Sequence, residues 1–193
     1  MEMNTTFIIA IDPATVTGFA EGYLDHEIPR TWTKDYTPKK ATKGKKATKK
    51  NPAIPGRPAE ANHLRYGKMW ADLVECLKHL PNECDVYVIC ENAAGFTRGK
   101  AAIEVSNKFR GVVEAFCAYY ELNYIAMQPA DLKRYAVGKG VAEKEEMIVA
   151  ARRRGYSKEV EDDNEADAFL MWLYLRDYVR NIKPSDDETD CPC

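Results

Sequence analysis

Residues 7–11 read Phe-Ile-Ile-Ala-Ile, a short apolar run rich in β-branched side chains, and Asp12-Pro13 closes it. An unbroken apolar run bounded by a turn signal predicts a strand buried on both faces. Beyond the turn, TVTGFAEGYL (residues 15–24) predicts a second strand. Val86 to Cys90 (VYVIC) is another buried run, and it too stops at an acid, Glu91. Tyr124 to Met127 (YIAM) predicts one more strand, ended by Gln128-Pro129. Between these runs the apolar spacing turns helical. One helix is expected from Ala61 to about Leu80, with Leu64, Met69, Leu73, Val74 and Leu77 inward and Pro81-Asn82 as its stop. A longer one runs from Ala101 to Leu122, carrying Ile103, Val105, Phe109, Val112, Val113, Phe116 and Tyr120. A short helix (ADLKRYAV, residues 130–137), a Gly138-Lys139-Gly140 turn and a third helix (AEKEEMIVAARRR, residues 142–154) follow, stopped at Gly155. The last helix starts near Asp163 and turns Ala166, Phe169, Leu170, Leu173 and Tyr174 inward. Strands first, then strands alternating with helices, predict an α/β domain with a mixed sheet.

With 193 residues, the chain has room for one compact domain, here residues 1–183, and a polar acidic tail at 184–193. A hydrophobic content of 45% supports a real core. The apolar runs are far shorter than the ~20 residues that span a bilayer, and MEMNTTFIIAID lacks the basic start of a secretion signal. A soluble cytoplasmic protein without a membrane partner is expected. Cys76, Cys84, Cys90 and Cys117 fall in expected helices or strands without a C-x-x-C pair, so reduced thiols are favoured over a disulfide or metal framework. Cys191-Pro192-Cys193 is read as a frayed end, with metal capture or an intermolecular disulfide as alternatives.

The net charge of −2 conceals a segregation. From Lys34 to Arg57, nine basic residues meet a single acid, so this block carries +8 and the remainder −10. Residues 33–60 also lose all apolar periodicity, which predicts a mobile basic loop inserted in the domain. The acids have a pattern of their own. Asp12 and Glu91 each end a buried strand, at the edge where open α/β sheets bind ligands. If the two strands are neighbours, the carboxylates repel unless a cation lies between them. A third group, DDNEAD (Asp162 to Asp167), opens the last helix, where Asp163 or Asn164 shares one face with Asp167. Three such groups on one edge would make an oxygen-rich cage for Mg²⁺ or Mn²⁺. Two ions there can activate a water and stabilise the leaving oxygen of a phosphodiester. The simpler reading is that these acids cap turns, and Asp162 with Glu165 makes a good capping box.

The blocks IIAIDPATVTGFA, VICEN, QPADLKRYAVGKGVAEKEEM and DNEADAFLMWL, in this order and spacing, resemble the RuvC-type Holliday-junction resolvases of the RNase H-like superfamily. The resemblance covers about residues 5–178 apart from the basic insert, and leans toward the phage-borne branch. Its most specific part is Lys133, Gly138, Gly140, Ala142 and Lys144, which match the family's K…GxGxAxK signature. It implies an RNase H-like fold with a mixed central sheet flanked by helices. It also implies a homodimer that nicks opposing strands of a four-way DNA junction, with two Mg²⁺ or Mn²⁺ ions per site and no nucleotide cofactor. The products implied are 5′-phosphate and 3′-hydroxyl ends. The family's metal ligands fall on Asp12, Glu91, the Asp163–Asn164 position and Asp167, and the long helix at 101–122 would contribute to the dimer interface. The chain departs from the pattern twice. Ala14 replaces the glycine of Asp-Pro-Gly, so the turn should not need a left-handed residue, and Asn164 stands where an acid or histidine is usual.

Lys144 and Lys133 then read as phosphate contacts or transition-state stabilisers, and Lys139 as a backbone contact in the same turn. Phe96 could stack on or wedge between junction bases, with Arg98 and Lys100 making its loop basic. Arg152 to Arg154 form a basic helix end. Lys43, Lys45, Lys46, Lys49 and Lys50 of the insert would supply salt-dependent DNA affinity without sequence readout, unless the insert is a localisation tag or a solubilising loop. Two other classes compete: a protein of this fold that binds branched DNA without cutting it, and an actin-like or sugar-kinase ATPase. Ala14, the lack of a second glycine-rich phosphate loop and the short chain speak against the ATPase.

Overall fold

The computed structural model describes residues 5–43, 59–92, 100–156 and 163–182. It contains β1 (Thr6–Asp12), β2 (Val16–Tyr23), β3 (Arg30–Asp35), α1 (Leu64–Leu77), β4 (Asp85–Glu91), α2 (Lys100–Tyr119), β5 (Asn123–Met127), α3 (Pro129–Val137), α4 (Lys144–Arg153) and α5 (Asp163–Ile182). The five strands form one sheet in the order β3-β2-β1-β4-β5. β2 runs antiparallel to both β1 and β3, while β1, β4 and β5 are mutually parallel. The sheet is mixed, as expected.

Strand alternation divides the core between the two faces of the sheet. Ile8, Ala10, Ala20 and Ile89 face α5, whose Phe169, Leu170 and Trp172 are fully buried. Ile9, Ile11, Phe19, Val88 and Cys90 face the other way, onto Met69 and Leu73 of α1 and Phe109, Val113 and Phe116 of α2. The inner stripe expected for α5 is wider in the structure. Ala166 and every residue from Ala168 to Leu173 are buried, because the helix packs between the sheet and α3–α4.

The expected basic loop does not begin at residue 33. Thr33, Lys34 and Asp35 pair with β2 as part of β3, and Tyr36 is buried against Phe109. Hydrophobic alternation misses β3 because its one large apolar residue, Trp32, sits between two threonines and is followed by charge. The Tyr36 hydroxyl donates to Asp72 Oδ2 at 2.8 Å, and its N–H donates to the Thr15 carbonyl at 2.8 Å. The ends of the insert are pinned to each other. Glu60 N–H donates to the Lys39 carbonyl at 2.8 Å, and Lys39 N–H donates to Glu60 Oε2 at 3.1 Å.

The ends of three helices also differ. α1 is shorter than expected at both ends, and Leu64 is 49% exposed rather than part of the inner face. α2 ends at Tyr119, so Tyr120 leaves the stripe, and Glu121 takes a positive φ of 54° that terminates the helix. α4 starts two residues later than read, because Glu143 and Glu146 form a capping box at Lys144. The core of the α2 stripe (Phe109, Val113, Phe116) is consumed inside the chain, which leaves a dimer role for this helix as an expectation. Cys76, Cys84, Cys90 and Cys117 are free thiols, and burial pushes Cys117 up to about 12. Among the described residues no helix is long and apolar enough to cross a membrane.

Candidate active site

The β1–β4 register decides what Asp12 and Glu91 can do. Ile11 is the Cα partner of Cys90, so the next residues, Asp12 and Glu91, end two adjacent parallel strands side by side. Side chains alternate along a strand, and Ala10 and Ile89, two residues earlier, face α5. Asp12 and Glu91 therefore leave the sheet on the same face. They are 2% and 7% exposed, an unusual degree of burial for two neighbouring carboxylates. The sulfur of Cys90 feels both: burial raises its thiol well above the ordinary value, the charges of Asp12 and Glu91 raise it further, and Arg110 opposes them.

The third acidic group arrives through a glycine. Gly18 is the partner of Asp12 on β2, and a Cβ built there would lie 2.0 Å from the Asn164 carbonyl oxygen and 2.9 Å from Glu165 N. The first turn of α5 thus packs directly on the β2 backbone beside Asp12. A glycine inside a strand is the signal for such a close approach. In the sequence Gly18 is one residue of the expected second strand, and nothing local marks what approaches it. Asp163 opens α5, Asp167 follows one turn later with its Oδ1 buried, and Glu165 is itself 4% exposed. Lys144, the first residue of α4, forms an ion pair with Asp163 and ties the two helix starts together. The Asp12 turn is closed by Thr17, whose Oγ1 donates to the Ala14 carbonyl at 2.6 Å. Ala14 is not among the positive-φ residues, so the missing glycine of this turn is tolerated.

The structure thus gathers Asp12, Glu91, Asp163, Asn164, Asp167 and Lys144 at one edge of the sheet. The expected DNA contacts divide differently. Lys133 lies one turn into α3, which leaves the same edge after β5, while Lys139 is paired with Glu146 at 2.6 Å. Lys43 is exposed. Lys45, Lys46, Lys49, Lys50, Phe96, Arg98, Asp162 and the cysteines of the tail lie outside the described residues, as does the side chain of Lys100. Arg110, which carries no local sequence signal, also reaches this edge. Its guanidinium donates to Asn92 Oδ1, next to Glu91, and Asn92 N–H donates to the Met127 carbonyl at 2.7 Å, which ties the end of β4 to that of β5.

The donor set fits a hard divalent cation, which takes oxygen ligands and, for Mg²⁺, commonly only one or two carboxylates plus water and substrate phosphate. Two buried carboxylates side by side also favour a cation between them. Among the described residues, however, no group of three or more His, Cys, Asp or Glu is placed so that it could hold a metal ion. The Asp163 carboxylate is drawn toward Lys144, and Asn164 brings no charge.

No protein-family model and no curated protein sequence matches the chain. Among solved structures, it is similar to Thermus thermophilus RuvC, with a TM-score of 0.61 and 20% identity over 91% of this chain and 96% of that one. It is equally similar to T. thermophilus RuvC in complex with a Holliday junction substrate, over 91% and 95% of the two chains at a TM-score of 0.61 and 20% identity. The yeast mitochondrial Holliday junction resolvase matches at a TM-score of 0.48 and 9% identity, over 91% and 82%. The buried strand pair ending in acids, the helix seated on Gly18 and the near-complete overlap with the first of these structures have one common reading: the chain shares the mixed-sheet α/β fold of T. thermophilus RuvC.

Proposed function

We propose that the chain is a divalent-metal-dependent endonuclease that acts as a homodimer on four-way and related branched DNA. The observation that carries this reading is the meeting of Asp12 and Glu91 with the first turn of α5 at one sheet edge. The fold shared with a protein solved on a Holliday junction supports the substrate class. Asp12, Glu91, Asp167 and the Asp163–Asn164 pair would hold one or two Mg²⁺ or Mn²⁺ ions. Bound there, such ions supply an activated water and charge stabilisation for the leaving oxygen.

The chain's own residues do the rest. Asp12 and Glu91 end rigid strands, so their oxygens are fixed before substrate arrives. Lys144 reaches the edge from α4 and can pass from Asp163 to a phosphate oxygen when DNA enters. Asn164 can ligate through its side-chain carbonyl but adds no charge to the site. The insert leaves the same edge: Tyr36 N–H is bonded to the Thr15 carbonyl, three residues beyond Asp12. Its +8 charge would therefore meet the phosphates flanking the reacting one. Deleting residues 38–52 should weaken junction binding and flatten its salt dependence. Titrations between about 50 and 200 mM salt check this, and an unchanged slope removes the insert from the interface.

The test of function is incubation with a synthetic four-way junction and a linear duplex, each with Mg²⁺, with Mn²⁺ and with chelator. Paired nicks in the junction alone, lost with chelator, support the proposal. Asn164 and the lack of a three-ligand group among the described residues favour one second reading, a branched-DNA binding protein. Tight junction binding without cleavage in either metal would establish it.

A further inference from the structure

Arg65 stands in the first turn of α1, half-buried, and among the described residues it pairs with no carboxylate. Its guanidinium carbon lies 5.1 Å from the centre of the Tyr66 ring and 5.6 Å from that of Phe109. One terminal nitrogen donates to the Tyr66 hydroxyl at 3.1 Å, and Nε is buried without a hydrogen-bond partner. An arginine partly withdrawn from water normally has an acid beside it. Here two aromatic faces hold the charge in place instead, and the remaining donors are left for a ligand.

The surroundings fix where that ligand would come from. Phe109 also packs on Tyr36, with 5.4 Å between ring centres, and Tyr36 is bonded to the Thr15 carbonyl beside the Asp12 turn. Arg65 is thus linked through two rings to the carboxyl edge of the sheet, on the α1–α2 side. The root of the basic insert is near in sequence: Glu60, bonded to the Lys39 carbonyl, lies five residues before Arg65, just ahead of the start of α1. A planar guanidinium held in a fixed orientation suits a phosphate better than it suits bulk water.

We propose that Arg65 is a backbone-phosphate contact for the nucleic-acid strand that crosses the α1–α2 side of the Asp12–Glu91 edge, with Tyr66 and Phe109 as the shelf that orients it. The proposal rests on the branched-DNA reading above and adds one residue to its substrate interface. It needs no metal, so binding can be read in chelator.

Junction affinity of the full chain is measured against salt concentration for wild type, Arg65→Met, Arg65→Lys and Arg30→Met. Arg30 removes the same charge from the start of β3, where its partner is Glu21 at 3.1 Å. Arg65→Met should lose about fivefold in affinity near physiological salt, and the log–log slope should fall by about 0.9, the signature of one phosphate contact. Arg65→Lys should keep the slope, because the charge stays, while losing part of the affinity with the planar stack. Arg30→Met should leave the slope at the wild-type value. Melting temperatures confirm that each variant is folded, and Arg65→Gln, which removes the charge while keeping a polar side chain, carries the slope test with the same expected outcomes if Arg65→Met is not. A wild-type slope in Arg65→Met overturns the assignment, and so does an equal loss in Arg30→Met, which would mark a diffuse charge effect. Failure of the wild-type chain to bind the junction at all refutes the parent reading instead.

Discussion

Gly18→Ala is expected to destabilise the chain by roughly 3 kcal/mol and to lower its melting temperature by roughly 6–12 °C. The new methyl group would sit 2.0 Å from the Asn164 carbonyl oxygen and 2.4 Å from its carbon, and both are backbone atoms that cannot rotate away. Relief requires α5 to lift off β2. That helix carries Phe169, Leu170 and Trp172, all fully buried, so moving it disturbs the larger part of one core face. The same movement withdraws Asp163, Asn164 and Asp167 from Asp12, so junction cleavage should fall further than the folded fraction does. Gly67→Ala is the counter-example. A Cβ at Gly67 meets nothing within 4 Å and lies inside α1, so alanine there should stabilise by about 1 kcal/mol through helix propensity alone. Thermal melts of both variants check the contrast. An unshifted melt for Gly18→Ala would mean that the start of α5 does not rest on β2.

Asp12→Asn should separate stability from catalysis with opposite signs. Without divalent metal, Asp12 and Glu91 are two buried, adjacent carboxylates whose repulsion opposes folding. Removing one charge while keeping the shape should raise the metal-free melting temperature, by about 1 kcal/mol of added stability. In the wild type, saturating Mg²⁺ should stabilise by about 2.7 kcal/mol at a hundredfold excess over its dissociation constant. That shift should vanish in Asp12→Asn, with cleavage reduced at least about a thousandfold and junction binding retained. Differential scanning calorimetry with and without Mg²⁺ reads all the stability terms. A metal-induced shift of wild-type size in the variant would remove Asp12 from the ligand set.

Much of this site is legible in the sequence because burial and chemistry coincide there. Phe7–Ile11 and Val86–Cys90 are apolar runs that each stop at an acid, and a strand that must stop at an acid marks the sheet edge by itself. Their adjacency is a property of topology, which no local pattern carries, and the β1–β4 register supplies it. The start of α5 is legible too, through acids placed just before an apolar helix. β3 is not, because Thr31, Thr33 and Lys34 fit an edge strand without looking apolar, and its partner Tyr36 hides in a lysine-rich stretch. The purpose of Gly18 is half legible: a strand glycine signals close approach, but not that Asn164 is what approaches. Arg65 and Arg110 look like ordinary helix arginines until their partners are known. Phe96, Arg98 and most of the insert lysines remain expectations drawn from the sequence, since they fall outside the described residues.

The most direct measurement is strand mapping on a four-way junction labelled in turn on each of its four strands, cut by wild type and by Asp12→Asn in Mg²⁺. Nicks in two opposing strands, sealable by a ligase and absent from both the linear duplex and the Asp12→Asn reaction, are the predicted result. Cleavage that survives in Asp12→Asn, or that falls equally on linear duplex, would contradict a junction-cutting centre built on the ends of β1 and β4.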